Sequence, residues 1–313
     1  MEASLHRNVD DAIKEISSYF VGSDQIPGKI LSAIFSSGHI LIEDFPGTGK
    51  TFLAKLLSRV LGISYRRVQF TPDLLPSDII GTKIWRPQLS VFETYRGPIF
   101  SNLILADEIN RAPPKTQAAL LEAMEERQVT IEGDTVQLPS PFIVIATENP
   151  IEFEGTYPLP EAQLDRFMLQ LSLGYPGVEK DLLKRRLGWK TDDPSSLAKS
   201  ILSPDIVIKI RDFIESSVVV SDEVLDYLAS FKSIRGDDRI LAGPSPRAII
   251  SLMRMARGYA FVSGRSYVIP DDVKIVAKDV LSHRIVLKPE LEMENISTTS
   301  IIEEYIGRLP VKK

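Results

Sequence analysis

The chain has 313 residues, a formal net charge of −5, 43% hydrophobic residues, no cysteine and three histidines. That length predicts about two domains with ample material for a core, and the missing cysteines and scattered histidines exclude a disulfide framework and a zinc site of the usual kinds. Net acidity argues against constitutive nucleic-acid binding, no apolar run is long enough for membrane insertion, and the polar N-terminus carries no signal segment, so the expected location is cytoplasmic.

Residues 5–20 and 24–36 read as helices, the second with Pro27 in its first turn and Ile26, Ile30, Leu31, Ile34 and Phe35 along one side. Val21-Gly22 lies just upstream of the second. It lines the base of a nucleotide or makes a plain helix–helix turn, and the sequence leaves both open. His39-Ile40-Leu41-Ile42 is a short buried strand, followed by Asp44-Phe45-Pro46-Gly47-Thr48-Gly49-Lys50-Thr51 and an apolar helix that begins with Phe52. Strand, glycine turn, Lys-Thr and helix are the context of a phosphate-binding loop. Its glycines let successive N–H groups curl toward an anion, and the helix N-terminus adds its positive end. In this reading Lys50 reaches the β- and γ-phosphates and Thr51 binds Mg²⁺. The strict pattern has glycine where this chain has Asp44; Asp tolerates left-handed backbone, which would let the turn survive.

A second strand is expected at Arg67-Val68-Gln69-Phe70, then a turn-rich stretch to Gly81. Asp78-x-x-Gly81 mimics a GTPase switch, but no guanine-reading motif follows, so it reads as a decoy. Residues 82–101 read as an insertion with short strand character, tipped by Arg96-Gly97-Pro98. The third strand, Leu103 to Ala106, ends in Asp107-Glu108. A buried parallel strand delivers such carboxylates to the sheet end that also carries the phosphate loop. Asp107 is the candidate Mg²⁺ ligand and Glu108 the group that polarises an attacking water.

Pro113-Pro114 opens a helix to about Arg127. Residues 129–138 alternate around Glu132-Gly133-Asp134 and predict a projecting β-hairpin, for gripping a substrate or for packing on a neighbouring subunit. A fourth strand, Phe142 to Ala146, leads to Asn149, placed to hold the water or the γ-phosphate. A fifth runs from Met168 to Leu173, preceded by Arg166. The pattern then turns helical, at roughly 178–187, 204–216, 222–234, 246–263 and 271–284, with a short candidate at 301–306. The expected domains are therefore 1–175 and 176–313.

These runs resemble the AAA+ ATPases, and among them the MoxR family. The matching stretches are Glu43 to Thr51, Leu105 to Gln117, Ala146 to Pro150, Glu154 to Phe167 and Gly243 to Ala248. The likeness covers about residues 24–287, and Glu-Asp before the phosphate loop is a variant the family uses. The resemblance implies an α/β P-loop NTPase core with a five-stranded parallel sheet of order 5-1-4-3-2 and a C-terminal helical lid. It implies that Asn149 is the sensor-1 residue, Arg247 the sensor-2 arginine on the lid, and Arg166 an arginine finger toward a neighbouring subunit, with Arg111 a second candidate. Further implications are ATP and Mg²⁺ as cofactors, a closed head-to-tail ring, a hexamer in this family, and chaperone-like action on client proteins, von Willebrand factor A-domain proteins among them. A nucleic-acid translocase is the alternative, because related rings carry a similar hairpin; the acidic hairpin tip weighs against it.

Overall fold

A computed structural model of the chain describes residues 2–150, 155–175, 179–191, 193–292 and 296–309. Glu154 of the matched stretches and Pro176-Gly177 at the expected domain boundary lie outside them.

Two helices come first, α1 (Glu2–Tyr19) and α2 (Gln25–Phe35). The core sheet contains β1 (Ile40–Glu43), β2 (Tyr65–Gln69), β5 (Leu103–Asp107), β8 (Ile143–Glu148) and β9 (Leu169–Leu171), all parallel, in the order β2-β5-β8-β1-β9. Counted among themselves, these five strands have the expected order 5-1-4-3-2. Helix α3 (Lys50–Leu61) follows β1, α4 (Pro76–Ile80) follows β2, and α5 (Pro114–Glu126) follows β5. Two hairpins interrupt the alternation: β3 (Gly81–Arg86) with β4 (Val91–Arg96), and β6 (Gln128–Ile131) with β7 (Asp134–Gln137).

Side chains alternate across the sheet, as the pleat requires. Ile40, Ile42, Leu103, Leu105, Ile143 and Ile145 face α1, α2 and α3. Leu41, Ile104, Ala106, Val144 and Ala146 face Leu120, Leu121 and Met124 of α5. The central strands are apolar on both faces because helices cover both. The first of these cores continues into the C-terminal helices, through Leu252, Val276 and Ile301.

A short helix, α6 (Glu161–Leu164), precedes β9. The C-terminal part then holds α7 (Glu179–Trp189), α8 (Pro204–Ser217), α9 (Asp222–Ser230), α10 (Pro246–Val262), α11 (Pro270–Leu281), α12 (Pro289–Glu292) and α13 (Thr298–Arg308), with a small antiparallel pair, β10 (Ile240–Ala242) and β11 (Val286–Leu287). Serine side chains cap four of these helices: Ser203 accepts from Ile206 N, Ser221 from Val224 N, Ser245 from Ala248 N and Ser297 from Ser300 N. Helix α9 stops at Ser230 and continues only as 3₁₀ turns to Gly236, and α11 hands over to 3₁₀ at Ser282–Arg284.

The 82–101 insertion needs correcting in its tip. The turn is Pro87 to Ser90, with Ser90 at φ 51°. Gly97 sits instead at the base, where its N–H donates to Ile80 O at 3.3 Å. Gly81, at φ 99°, lies so close to Tyr95 that an added Cβ would sit 2.1 Å from its carbonyl oxygen. Both hairpin faces are exposed, so no apolar–polar alternation marked these strands in the sequence.

The other hairpin does not project freely. Glu132 Oε1 accepts from Thr82 Oγ1 at 3.0 Å and Lys83 N at 3.3 Å, and Lys83 Nζ pairs with Asp134 at 2.7 Å. Its acidic tip is fastened to the base of the first hairpin.

Candidate functional site

Strand register assembles the site. Leu41, Ala146 and Ala106 lie in one row across β1, β8 and β5. Two inter-strand spacings, about 10 Å, therefore separate the start of the phosphate loop from Asp107.

The loop is preformed. Gly47 and Gly49 have φ 84° and 89°, a region strained for any residue with a Cβ, and a Cβ built on either meets nothing within 4 Å. The space above the loop is open for a ligand. Lys50 Nζ donates to Asp44 O at 2.6 Å and Thr48 Oγ1 to Phe45 O at 3.2 Å. Lys50 and Thr51 begin α3, and Phe52 is half-buried behind them. The exposed Phe45 ring stacks on Tyr175, centroids 6.2 Å apart and planes at 5°.

Asp44 does not take a left-handed conformation, so tolerance of that region is not why it replaces glycine. Its buried carboxylate accepts from Phe45 N (2.9 Å), Leu173 N (2.7 Å) and Gly174 N (2.8 Å). The side chain ties the loop to the segment that leaves β9. What Asp44 offers on the lysine side is its carbonyl oxygen.

Asp107 Oδ1 accepts from Thr147 Oγ1 at 2.6 Å, and its Oδ2 is held by the Arg67 guanidinium at 2.7–2.9 Å. Arg67 is half-exposed and also donates from Nη2 to Gln69 Oε1 at 2.5 Å. Among the described residues no three His, Cys, Asp or Glu side chains gather to bind a metal by themselves. The donor set of Asp107 and the Thr51 hydroxyl suits Mg²⁺, which binds through one or two protein oxygens together with phosphates and water.

Glu108 stands at φ 57° and donates its N–H to Thr147 Oγ1 at 2.8 Å. Its Oε2 accepts from Gln69 Nε2 at 2.6 Å and from Arg111 Nη1 at 3.0 Å. Arg111 thus contacts a carboxylate of its own chain. Asn149 is buried directly after β8. Beside it, burial and then the register partner Glu43 push Glu148 up to about 7. Val21 and Gly22 form the α1–α2 turn and also line a cavity of about 210 Å³ with Phe20, Pro27 and Arg185.

Arg166 and Arg247 do not join this group. Arg166 Nη1 lies 2.6 Å from Glu125 Oε2 and donates to Leu121 O at 2.9 Å; Arg247 Nη2 lies 3.1 Å from Glu125 Oε1. Glu125 is near the end of α5, next to Met124, whose carbonyl meets His39 Nε2 at 3.2 Å. His39 precedes β1, so this cluster sits at the N-terminal ends of the strands, while the phosphate loop leaves their C-terminal ends. The four residues of β1 span about 13 Å between the two ends.

The ATPase family associated with various cellular activities (AAA) matches residues 39–169, and the AAA lid domain matches residues 233–305. A protein named Chaperone MoxR1, from Mycobacterium tuberculosis, is 41% identical over 98% of this chain and 82% of its own length. The chain belongs to the MoxR family of AAA+ ATPases. Protein MoxR of Methylorubrum extorquens is 29% identical over 90% of this chain and 88% of its own. The solved structure of a candidate ATPase from Cytophaga hutchinsonii superimposes with TM-score 0.90 at 41% identity, covering 100% of this chain and 97% of that one. A MoxR protein accordingly has its nucleotide-binding fold and helical lid here in one chain. No helix among the described residues is long and apolar enough to cross a membrane.

Three features of the site left no mark in the sequence reading. These are the Thr147 hydroxyl that joins Asp107 to Glu108, the Gln69 clamp on Glu108, and the fastening of the turn that carries Arg166. In that turn His283 Nε2 meets Phe167 O at 2.9 Å, and Arg284 bonds Asp165 Oδ1 at 2.7 Å. Thr147 and Gln69 each lie on a strand beside a motif, which is the one signal that pointed to them.

Proposed function

We propose that this MoxR protein hydrolyses Mg-ATP in a closed ring, whose hexameric form the family resemblance suggests, and uses the cycle to remodel client proteins. Lys50 and the loop amides bind the phosphates, and the cavity at Val21-Gly22 takes the base. Thr51 and Asp107 hold Mg²⁺, which draws charge off the phosphate oxygens when bound. Glu108, released from Gln69 and Arg111, orients the attacking water, and Asn149 steadies it. Residues 176–313 form the lid, and Asp44 carries loop movement to the segment where the lid begins. Clients with a von Willebrand factor A-type domain, and action in the cytoplasm, belong to the same proposal.

The observation that carries the ring is the separation of Arg166 from the phosphate loop of its own chain. At the opposite end of the sheet it serves only a nucleotide held by another copy, and a heterologous interface that closes makes a ring. An arginine supplied this way accelerates phosphoryl transfer by about 10³–10⁵.

Complementation tests both roles. Glu108→Gln lacks the water-orienting group but keeps Arg166; Arg166→Ala is the reverse. Each alone should have negligible ATPase activity. Mixed equally, about one interface in four pairs an intact site with an intact finger, and activity should return in that proportion. A mixture no more active than its components would refute the arrangement.

A further inference from the structure

Arg166 and Arg247 come from different parts of the chain, one from the turn before β9 and the other from the first turn of α10. They nevertheless converge on one carboxylate, with Glu125 Oε2 2.6 Å from Arg166 and Oε1 3.1 Å from Arg247. Behind them lies a cavity of about 310 Å³, also lined by Arg127, Arg254 and Arg284. Asp165, the second carboxylate on that lining, is already bonded to Arg284. Arg127 and Arg254 spend donors on the backbone, on Ser37 O at 2.8 Å and Ser36 O at 2.6 Å. Glu125 is therefore the group that neutralises the mouth of a strongly positive cavity.

We infer that Glu125 is an internal stand-in for a phosphoryl group. In the separate chain it gathers the two guanidiniums on one point; in the assembly it yields that point to the terminal phosphate of a nucleotide held by a second copy of this chain. The inference rests on the ring reading above and adds a positioning residue to it.

Chemistry and exposure favour such an exchange. The carboxylate offers two oxygens and one charge; a terminal phosphate offers three oxygens and more charge, matching two guanidiniums better. Glu125 and Arg247 are 36% and 54% exposed as side chains, and ion pairs this exposed are weak. A carboxylate left in place would face the incoming phosphate, so like-charge repulsion drives it aside. Glu125 then sets a threshold: the two arginines are kept ordered, but only a more strongly charged anion captures them.

Glu125→Gln tests this, because it keeps the shape and a carbonyl oxygen and removes the charge. With ATP present, ATPase rate per protomer is followed against protein concentration, and assembly is followed by sedimentation with ATP and with ADP. The variant should reach half-maximal rate at a several-fold lower protein concentration, with the maximal rate within about twofold of the parent. It should also assemble with ADP under conditions where the parent needs ATP. In assembly with ADP, followed by sedimentation, Glu125→Gln should cause no further change when combined with Arg166→Ala and Arg247→Ala, as a double-mutant cycle requires if the effect runs through those arginines. A concentration dependence identical to the parent's, or one shifted the other way, overturns the inference. If the complementation experiment succeeds while this result is negative, the ring stands and the role of Glu125 does not. A parent that keeps its full rate per protomer at dilutions where sedimentation shows separate chains removes both.

Discussion

His39 shows how much one side chain can be asked to do. Its Nδ1 accepts from Val144 N at 2.9 Å, which leaves Nε2 to donate to Met124 O. Both nitrogens are committed, so the ring is neutral, and burial, then Arg127, holds its pKa well below the usual range. Burial and Arg284 likewise push His283 down to about 3. Unfolded imidazole titrates near 6.5. Below that pH the unfolded chain binds protons that the fold refuses, so stability falls as pH falls. Glu148 works in the opposite sense. Raised from 4.5 to about 7, it keeps a proton in the fold that the unfolded chain releases across that window, which favours the fold as pH drops. Two imidazoles against one carboxyl leave a net loss of about 1–2 kcal/mol between pH 6.5 and pH 5. Urea midpoints measured at the two pH values check this, and a higher midpoint at pH 5 would reverse the assignment. At this scale Lys50, Thr51, Asp107 and Glu108 were legible because their chemistry is local to a turn. Asp44 was legible only as an anomaly, since its partners Leu173 and Gly174 are 129 and 130 residues away.

The proposed action in trans rests on the turn between α6 and β9, which is held in part by its own backbone bonds from Asp165 N to Glu161 O, Arg166 N to Gln163 O and Phe167 N to Leu164 O. Arg284 supplies the rest, bonding Asp165 Oδ1 at 2.7 Å, Phe167 O at 2.7 Å and Val280 O at 2.7 Å with a side chain only 2% exposed. Removing one partner of a buried pair leaves the other charge uncompensated. Asp165→Asn should therefore lower stability by about 3 kcal/mol, read by chemical denaturation. It should also reduce ATPase activity in the surviving folded protein, because Arg166 loses its fixed position. Lys274→Ala, which removes an exposed pair with Asp271, should change stability by less than about 0.5 kcal/mol. Among the elements, the five core strands and most helices could be read from apolar runs and caps. The hairpin at 81–96 was misread at its tip because Arg96-Gly97-Pro98 gives a stronger turn signal than Pro87 alone, and α9 was drawn too long because no glycine or proline stands where it ends at Ser230.

On the scale of the molecule, the first hairpin carries an exposed apolar surface. Trp85 and Phe92 pair across the first hairpin with centroids 5.1 Å apart, and are 47% and 65% exposed; Leu89 and Tyr95 are exposed beside them. The second hairpin braces this one from its base through Glu132 and Asp134. Exposed apolar clusters of this kind mark interaction surfaces. Trp85→Ser with Phe92→Ser should leave the urea midpoint within about 0.5 kcal/mol of the parent, since these rings support no core. The same double change introduced into Glu108→Gln should reduce the set of proteins that variant retains in ATP. Unchanged capture would assign the hairpin another partner.

The residues alone determined the phosphate loop, the carboxylate pair, the alternation of strand and helix and the likeness to MoxR proteins, because each depends on neighbours a few positions apart. Tertiary structure decided where the arginines sit. Arg166 and Arg247 are 81 positions apart in the sequence, and nothing local says which end of the sheet they occupy. Packing of α10 against α2 brings Arg247 to the carboxylate of α5 that Arg166 also meets, at the end away from their own phosphate loop. That placement, set by long-range contacts, is what the proposal of a second copy at the site rests on.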